Sequence, residues 1–168
     1  RDRRLLFVHA HHGGRMKTVG DNRETIATLE DGAYQALFTS PPYWAPPKGR
    51  DRGGLRKYGD DATAEIGAEP TLDLFCESIV RVMRAAWPKL RDDSTAWVNL
   101  GDSYSAAGEP NMAPFAVARA LQQDGWTLRA MLPWVKFSGL PESVQSRPCI
   151  SHEYVLFLTK RPSGYFYD

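Results

Sequence analysis

Six consecutive residues, Thr39-Ser40-Pro41-Pro42-Tyr43-Trp44, bring together a hydroxyl, a free carbonyl and flat aromatic rings. They follow an apolar run, Tyr34-Gln35-Ala36-Leu37-Phe38, that reads as a buried strand. A strand that stops at a polar residue and two prolines gives a stiff loop at its carboxyl end, which is where ligands bind in an open α/β sheet. Proline has no N–H, so the segment does not continue a ladder and its carbonyl is free to point into a pocket. A hydroxyl and a carbonyl can accept the hydrogens of an amino group while a ring lies on the plane that carries it. The chemistry these residues suit is the gripping of a planar, amino-bearing base.

The elements that must position this loop follow from periodicity. Lys17-Thr18-Val19 is a short strand ending at Gly20-Asp21, and Arg23 to Leu29 is a short helix with Ile26 and Leu29 on one face. Asp31-Gly32 marks a turn before the strand that leads to Ser40. Thr71 is a candidate N-cap for a helix whose Leu72, Phe75, Ile79, Val82, Met83 and Ala86 recur at three-and-four spacing. Pro88 ends that helix near Trp87. Arg91 to Ser94 reads as a turn, Thr95 to Leu100 as a buried strand, and Pro114 to Asp124 as a helix stopped by Gly125. Trp126–Val135 and Glu153–Thr159 read as two strands forming a hairpin, and Tyr165-Phe166-Tyr167 as a short aromatic strand. Strands alternating with helices imply an α/β sheet with parallel crossovers.

The 168 residues suffice for one domain with a real core. A net charge of +1 gives no global nucleic-acid signature, so any basic surface must be local. Cys76 and Cys149 have no paired spacing, which excludes a disulfide framework or zinc knuckle and fits a reducing, cytoplasmic setting; both read as buried apolar residues. No apolar run approaches membrane-spanning length. Residues 1–15 differ in character from the rest, and Met16 would be a natural start. They are expected to be an extension or tail, although His9, His11 and His12 have the chemistry to bind metal. Residues 16–168 are expected to form the functional unit.

The Thr39–Trp44 segment after an apolar strand resembles the catalytic motif of amino-methyltransferases acting on DNA. Several further segments resemble that family in the order of its permuted, β-type members. Gly20-Asp21 lies about one helix upstream. Asn99-Leu100-Gly101-Asp102-Ser103-Tyr104 resembles the next motif. Asp124-Gly125-Trp126, Trp134-Val135-Lys136, Pro141-Glu142-Ser143-Val144, Arg147-Pro148 and Ser151-His152-Glu153-Tyr154 resemble the later ones. Two departures stand out. Lys136-Phe137-Ser138 replaces the Lys-Pro-Asn common in relatives, and no Phe-x-Gly-x-Gly, the cofactor loop that permuted members carry near their C-terminus, occurs in the sequence.

The resemblance implies a partial Rossmann-like methyltransferase sheet, its catalytic half, with a C-terminal β-hairpin. It implies transfer of a methyl group from S-adenosylmethionine to the exocyclic amine of a base flipped from double-stranded DNA, with no metal. Ser40 and Pro41 would accept the amine hydrogens, Pro42 would stiffen the loop, and Tyr43 would stack on the base. Asp21, Thr39 and Ser40 would face the cofactor, although Asp21 also reads as a Gly-Asp helix cap. A serine at the first motif position is the pattern mostly of cytosine-N4 enzymes; Asp or Asn there is mostly the adenine-N6 pattern. The alternatives are an adenine-N6 enzyme, an RNA or small-molecule amine methyltransferase, and a non-catalytic DNA-binding or assembly module. A complementary C-terminal half or a homodimer would supply what the missing cofactor loop leaves open.

The remaining candidates surround this motif. Lys48, Arg50, Arg52, Arg56 and Lys57 lie in the long Ala45–Gly67 connection and can track phosphates beside the pocket, as can Arg147; Trp44 is placed with them as a nucleic-acid contact. A solvated loop is the plain alternative for the basic stretch. Asp102 either shapes the pocket floor or stabilises a turn. His152-Glu153 suggests acid–base chemistry but reads more simply as a pair at a strand edge.

Overall fold

A computed structural model describes residues 4–10, 17–20, 22–45, 66–137 and 144–167. The strands are β1 (Arg4–Ala10), β2 (Lys17–Gly20), β3 (Tyr34–Thr39), β4 (Leu90–Leu100), β5 (Thr127–Val135) and β6 (His152–Thr159). The helices are α1 (Asn22–Ala27), α2 (Leu72–Ala86) and α3 (Ala113–Gln123), with one 3₁₀ turn at Trp87–Lys89. The sheet order is β2-β1-β3-β4-β6-β5. β3 and β4 are parallel and joined through α2, while β6 runs antiparallel between β4 and β5. The expected crossover and hairpin are both present.

Alternation along the strands sorts the sheet into two faces. Ala96, Val98 and Leu100 of β4 and Leu156 and Leu158 of β6 are at most 1% exposed. They share one core with Phe75, Ile79 and Met83 of α2 and Val117 and Leu121 of α3. The intervening residues make an aromatic row across three strands. Phe38 pairs in register with Trp97, and Trp97 with Phe157. The Trp97 and Phe157 rings stack at 4.3 Å.

α2 starts where the sequence implies. Thr71 is extended, and its hydroxyl accepts from the Leu74 N–H at 3.3 Å. Thr71→Ala should therefore destabilise the fold by about 0.5–2 kcal/mol, read as a lower urea midpoint at unchanged slope. An unchanged midpoint would remove the cap from the account of this helix.

Within the stretch expected to be an extension or tail, Arg4–Ala10 forms β1 between β2 and β3; the run Leu5-Leu6-Phe7-Val8 is apolar enough to serve as a strand. Three expectations need correction. Arg91–Ser94, expected to be a turn, continues β4. Extended backbone puts Arg91 and Asp93 on one side, where they pair at 2.9 Å, and the Asp93 carbonyl accepts from Gln35 and from the Phe166 N–H. Tyr165–Tyr167 is not a strand, because its rings pack on the sheet face against Phe157 and Trp97 instead of pairing along an edge. Cys149 is exposed, whereas Cys76 is buried in α2, where desolvation and then Asp73 push its thiol up to about 11.

Among the described residues no helix is long and apolar enough to cross a membrane, and no cluster of three or more His, Cys, Asp or Glu could hold a metal ion.

Candidate active site

The parallel pairing of Thr39 with Val98 brings the carboxyl ends of β3 and β4 side by side. Leu100 pairs with Tyr154, so the start of β6 lies at the same end of the sheet. Three backbone segments therefore converge on one edge: Ser40–Ala45, Asn99–Tyr104 and His152–Tyr154.

The loop after β3 is held from below. The Ala45 N–H donates to the Gly67 carbonyl at 3.1 Å, and the Gly67 N–H donates to Glu69 Oε2 at 2.7 Å. Gly67 has φ +95°, and a β-carbon there would stand 2.7 Å from the Tyr43 carbonyl oxygen, so glycine is required on two counts. Trp44 turns inward. It is 8% exposed and its indole N–H donates to the Glu69 carbonyl at 2.9 Å. The expectation that Trp44 contacts nucleic acid is thereby corrected: a large ring with one buried donor satisfied by backbone is a core anchor.

With Trp44 inward, Tyr43 is left at the edge, half-buried, with Ser40 exposed and Thr39, Pro41 and Pro42 half-buried beside it. The Tyr43 ring occupies the space where a side chain at Gly101 would be. A β-carbon there would lie 2.6 Å from Cε2 and 2.8 Å from Cδ2. The Tyr43 hydroxyl accepts from Asn99 Nδ2 at 3.0 Å, and the same amide donates to Glu153 Oε2 at 2.8 Å. Lys136, just beyond β5, forms an ion pair with Glu153 Oε1.

Charge follows from this arrangement. Burial alone would raise the Glu153 carboxyl, but hydrogen bonds from Lys136, Asn99 and Tyr43 outweigh it and hold it below its ordinary value. The Tyr43 phenol is pushed up, first by burial and then by the neighbouring Glu153 carboxylate; the Ser40 hydroxyl and Asn99 act in the opposite sense. At neutral pH, Glu153 is an anion and Tyr43 is a neutral phenol. Because the folded value of Glu153 is depressed, its stabilisation is present above the ordinary carboxylate range and is lost as pH falls through that depressed value.

Asp102 resolves to its structural alternative. Its carboxylate accepts from the N–H groups of Ser103, Met112 and Ala113 at 2.9–3.0 Å and so caps the start of α3. His152 and Glu153 point to opposite faces as strand neighbours do; His152 Nε2 lies 3.2 Å from the Tyr154 hydroxyl, so the two do not form an acid–base pair. Arg147 stacks on the Tyr104 ring, its Cζ 3.6 Å from the centroid. Asp21, Lys48, Arg50, Arg52, Arg56 and Lys57 lie outside the described residues.

Sequence reasoning brought Ser40 and Tyr43 together but missed Asn99, Gly101, Lys136 and Glu153 as their neighbours. Asn99 carried a signal: it is a polar residue near the end of an otherwise apolar strand. Glu153 and Lys136 carried none that points to Tyr43, because only the pairing of β6 with β4 on one side and β5 on the other brings them there.

Comparisons with known proteins bear on the family and the fold. The N6/N4 DNA methylase family profile matches residues 34–168. The type II methyltransferase M.SmaI of Serratia marcescens is 35% identical over 178 residues, covering 89% of this chain and 57% of that protein. M.SfiI of Streptomyces fimbriatus is 35% identical over 164 residues, covering 88% of this chain and 36% of that protein. The chain thus spans about half the length, or less, of the curated relatives it matches. Among solved structures, the cytosine-N4-specific PvuII DNA methyltransferase superposes with a TM-score of 0.66 at 16% identity, covering 95% of this chain and 54% of that one. TTHA0409 of Thermus thermophilus, complexed with S-adenosyl-L-methionine, superposes with a TM-score of 0.62 at 22% identity, covering 89% of this chain and 56% of that one. These likenesses establish the Rossmann-like α/β fold, and the match over most of the sequence shows that the chain belongs to the N6/N4 DNA methylase family.

Proposed function

We propose that this chain carries the amine-acceptor half of the active site of an S-adenosylmethionine-dependent DNA methyltransferase, acting on cytosine N4. The observation that carries the reading is the exposed Ser40 beside Tyr43, whose ring is seated on Gly101 and whose hydroxyl is tied to Asn99.

An aromatic amine is a poor nucleophile because its lone pair is delocalised into the ring. Acceptors on its two N–H bonds favour pyramidalisation and localise that lone pair. The Ser40 hydroxyl and the Pro41 carbonyl, fixed at the end of β3, are the acceptors. Extruding a base from the duplex costs a few kcal/mol, and stacking on the Tyr43 ring returns about 1–3 kcal/mol. Holding the amine in a fixed line of attack supplies much of the remaining acceleration.

Ser40 is exposed and Thr39 half-buried at the strand end, so a methyl donor can reach both. When bound, that group supplies an electrophilic methyl. Thr39 and Ser40 would face it, with Asp21 on its adenosine. Residues 16–168 form the catalytic part. Lys48, Arg50, Arg52, Arg56, Lys57 and Arg147 would hold the DNA backbone. A complementary segment, on the same polypeptide or a partner, would complete the donor site.

The cytosine assignment rests on the serine that opens the motif. The family spans both base types, so adenine N6 is the second reading. Incubating duplex DNA with S-adenosylmethionine carrying a deuterated methyl group, then analysing nucleosides by mass spectrometry, separates them. N4-methyldeoxycytidine is expected. N6-methyldeoxyadenosine would overturn the base assignment alone, whereas label confined to RNA or small amines would overturn the DNA reading.

A further inference from the structure

The far end of β5 carries large apolar side chains that the described residues leave uncovered. Trp134 and Val135 are more than half exposed, and Phe137, two residues beyond the strand, is wholly exposed at 108%. A ring left in water contributes nothing to the core, and large exposed apolar groups mark contact sites. The backbone that bears this ring is nonetheless anchored. The Lys136 N–H donates to the Ser151 carbonyl at 2.7 Å, and the Lys136 ammonium pairs with Glu153. Asn99 Nδ2 in turn donates to Glu153 Oε2 at 2.8 Å and to the Tyr43 hydroxyl at 3.0 Å. Phe137 thus adjoins a residue that is tied, through Glu153 and Asn99, to the ring on which the base would stack.

We infer that Phe137 is a wedge that enters the stack of duplex DNA at the gap left by the extruded base. The inference rests on the functional reading above. A base that swings out leaves its stacked neighbours with nothing between them, and an apolar side chain inserted between base steps holds such a gap open. Three features suit Phe137 to this. Its ring is flat and clear of the protein, so it can slide between bases without leaving a hole in the core. Its anchor at Lys136 sets it beside the place that the base must reach. It also stands where the Lys-Pro-Asn common in relatives is replaced by Lys136-Phe137-Ser138, and a proline there offers no aromatic face.

The test uses the protein expressed from its complete reading frame, unchanged and as Phe137→Ala and Phe137→Leu. The substrates are duplex oligonucleotides containing a site that the unchanged protein methylates. The target base is either paired or set opposite an abasic position, where extrusion breaks no pair. On the paired duplex, Phe137→Ala should lower kcat/KM by about 10–10²-fold, the scale of one lost stacking contact, and Phe137→Leu by less. On the abasic duplex, Phe137→Ala should approach the unchanged protein. The urea midpoint should not move, because the ring is fully exposed.

Equal loss on both duplexes, or no loss on the paired one, would overturn the wedge. A lowered urea midpoint would do so too, because the ring would then be packing against protein. If the unchanged protein methylates no DNA at all, the functional reading fails and the wedge falls with it. Loss without rescue, beside an active unchanged protein, removes the wedge alone.

Discussion

Ser40→Ala is expected to lower kcat for methyl transfer by about 10²–10³-fold, the scale on which a single preorganised hydrogen-bonding group stabilises a transition state. The change removes one of two acceptors for the amine and leaves the Pro41 carbonyl alone to hold it. The fold should be almost untouched. Ser40 is exposed, lies beyond the last paired residue of β3, and among the described residues makes no backbone hydrogen bond that sets the loop. Surface substitutions of this kind stay within about 0.5 kcal/mol in stability. Loss of activity at an unchanged urea midpoint is therefore the expected pair of results. Undiminished turnover would sink the role given to Ser40.

Gly101→Ala should be nearly as severe by a different route. The added methyl would stand 2.6 and 2.8 Å from two ring carbons of Tyr43, closer than carbon atoms approach. Either the ring moves or the end of β4 does. The ring cannot swing freely, because its hydroxyl is tied to Asn99 and its backbone is held through Gly67 and Glu69. Overpacking of this kind costs about 1–3 kcal/mol in stability. A displacement of about 1 Å in a positioning group costs on the order of 10²-fold in rate. Gly101→Ala should thus lower both the urea midpoint and kcat, in contrast to Ser40→Ala, which lowers kcat alone. Wild-type stability and turnover in Gly101→Ala would mean that the ring is not seated on Gly101 in solution.

The contrast shows what was legible in the sequence. The apolar run into Ser40, the spacing of Leu72 to Ala86 and the glycine at 125 are local signals, and each became the expected strand, helix or stop. The motif segments also carried the order of the elements. Arg91–Ser94 misled because its polar residues look like a turn; the charges sit on the surface of an extended strand and are paired there, Asp92 with Arg161 and Asp93 with Arg91. Trp44 misled for the opposite reason. Beside two prolines it looked like a surface ring, yet the clamp from Gly67 and Glu69 lies well further along the chain and turns it inward. The partners of Tyr43 were out of reach of any local pattern, since Asn99 and Glu153 come from two strands that meet only in the folded sheet.

The central claim is that the Ser40–Tyr43 strand end accepts the exocyclic amine of a base in DNA. The most direct measurement is mass spectrometry of nucleosides from duplex DNA treated with S-adenosylmethionine carrying a deuterated methyl group. The protein would be expressed from its complete reading frame, in unchanged and Ser40→Ala forms. The expected result is deuterated N4-methyldeoxycytidine with the unchanged protein and about 10²–10³-fold less with Ser40→Ala. Label on carbon 5 of cytosine, no label in DNA at all, or equal label from both proteins would contradict the claim.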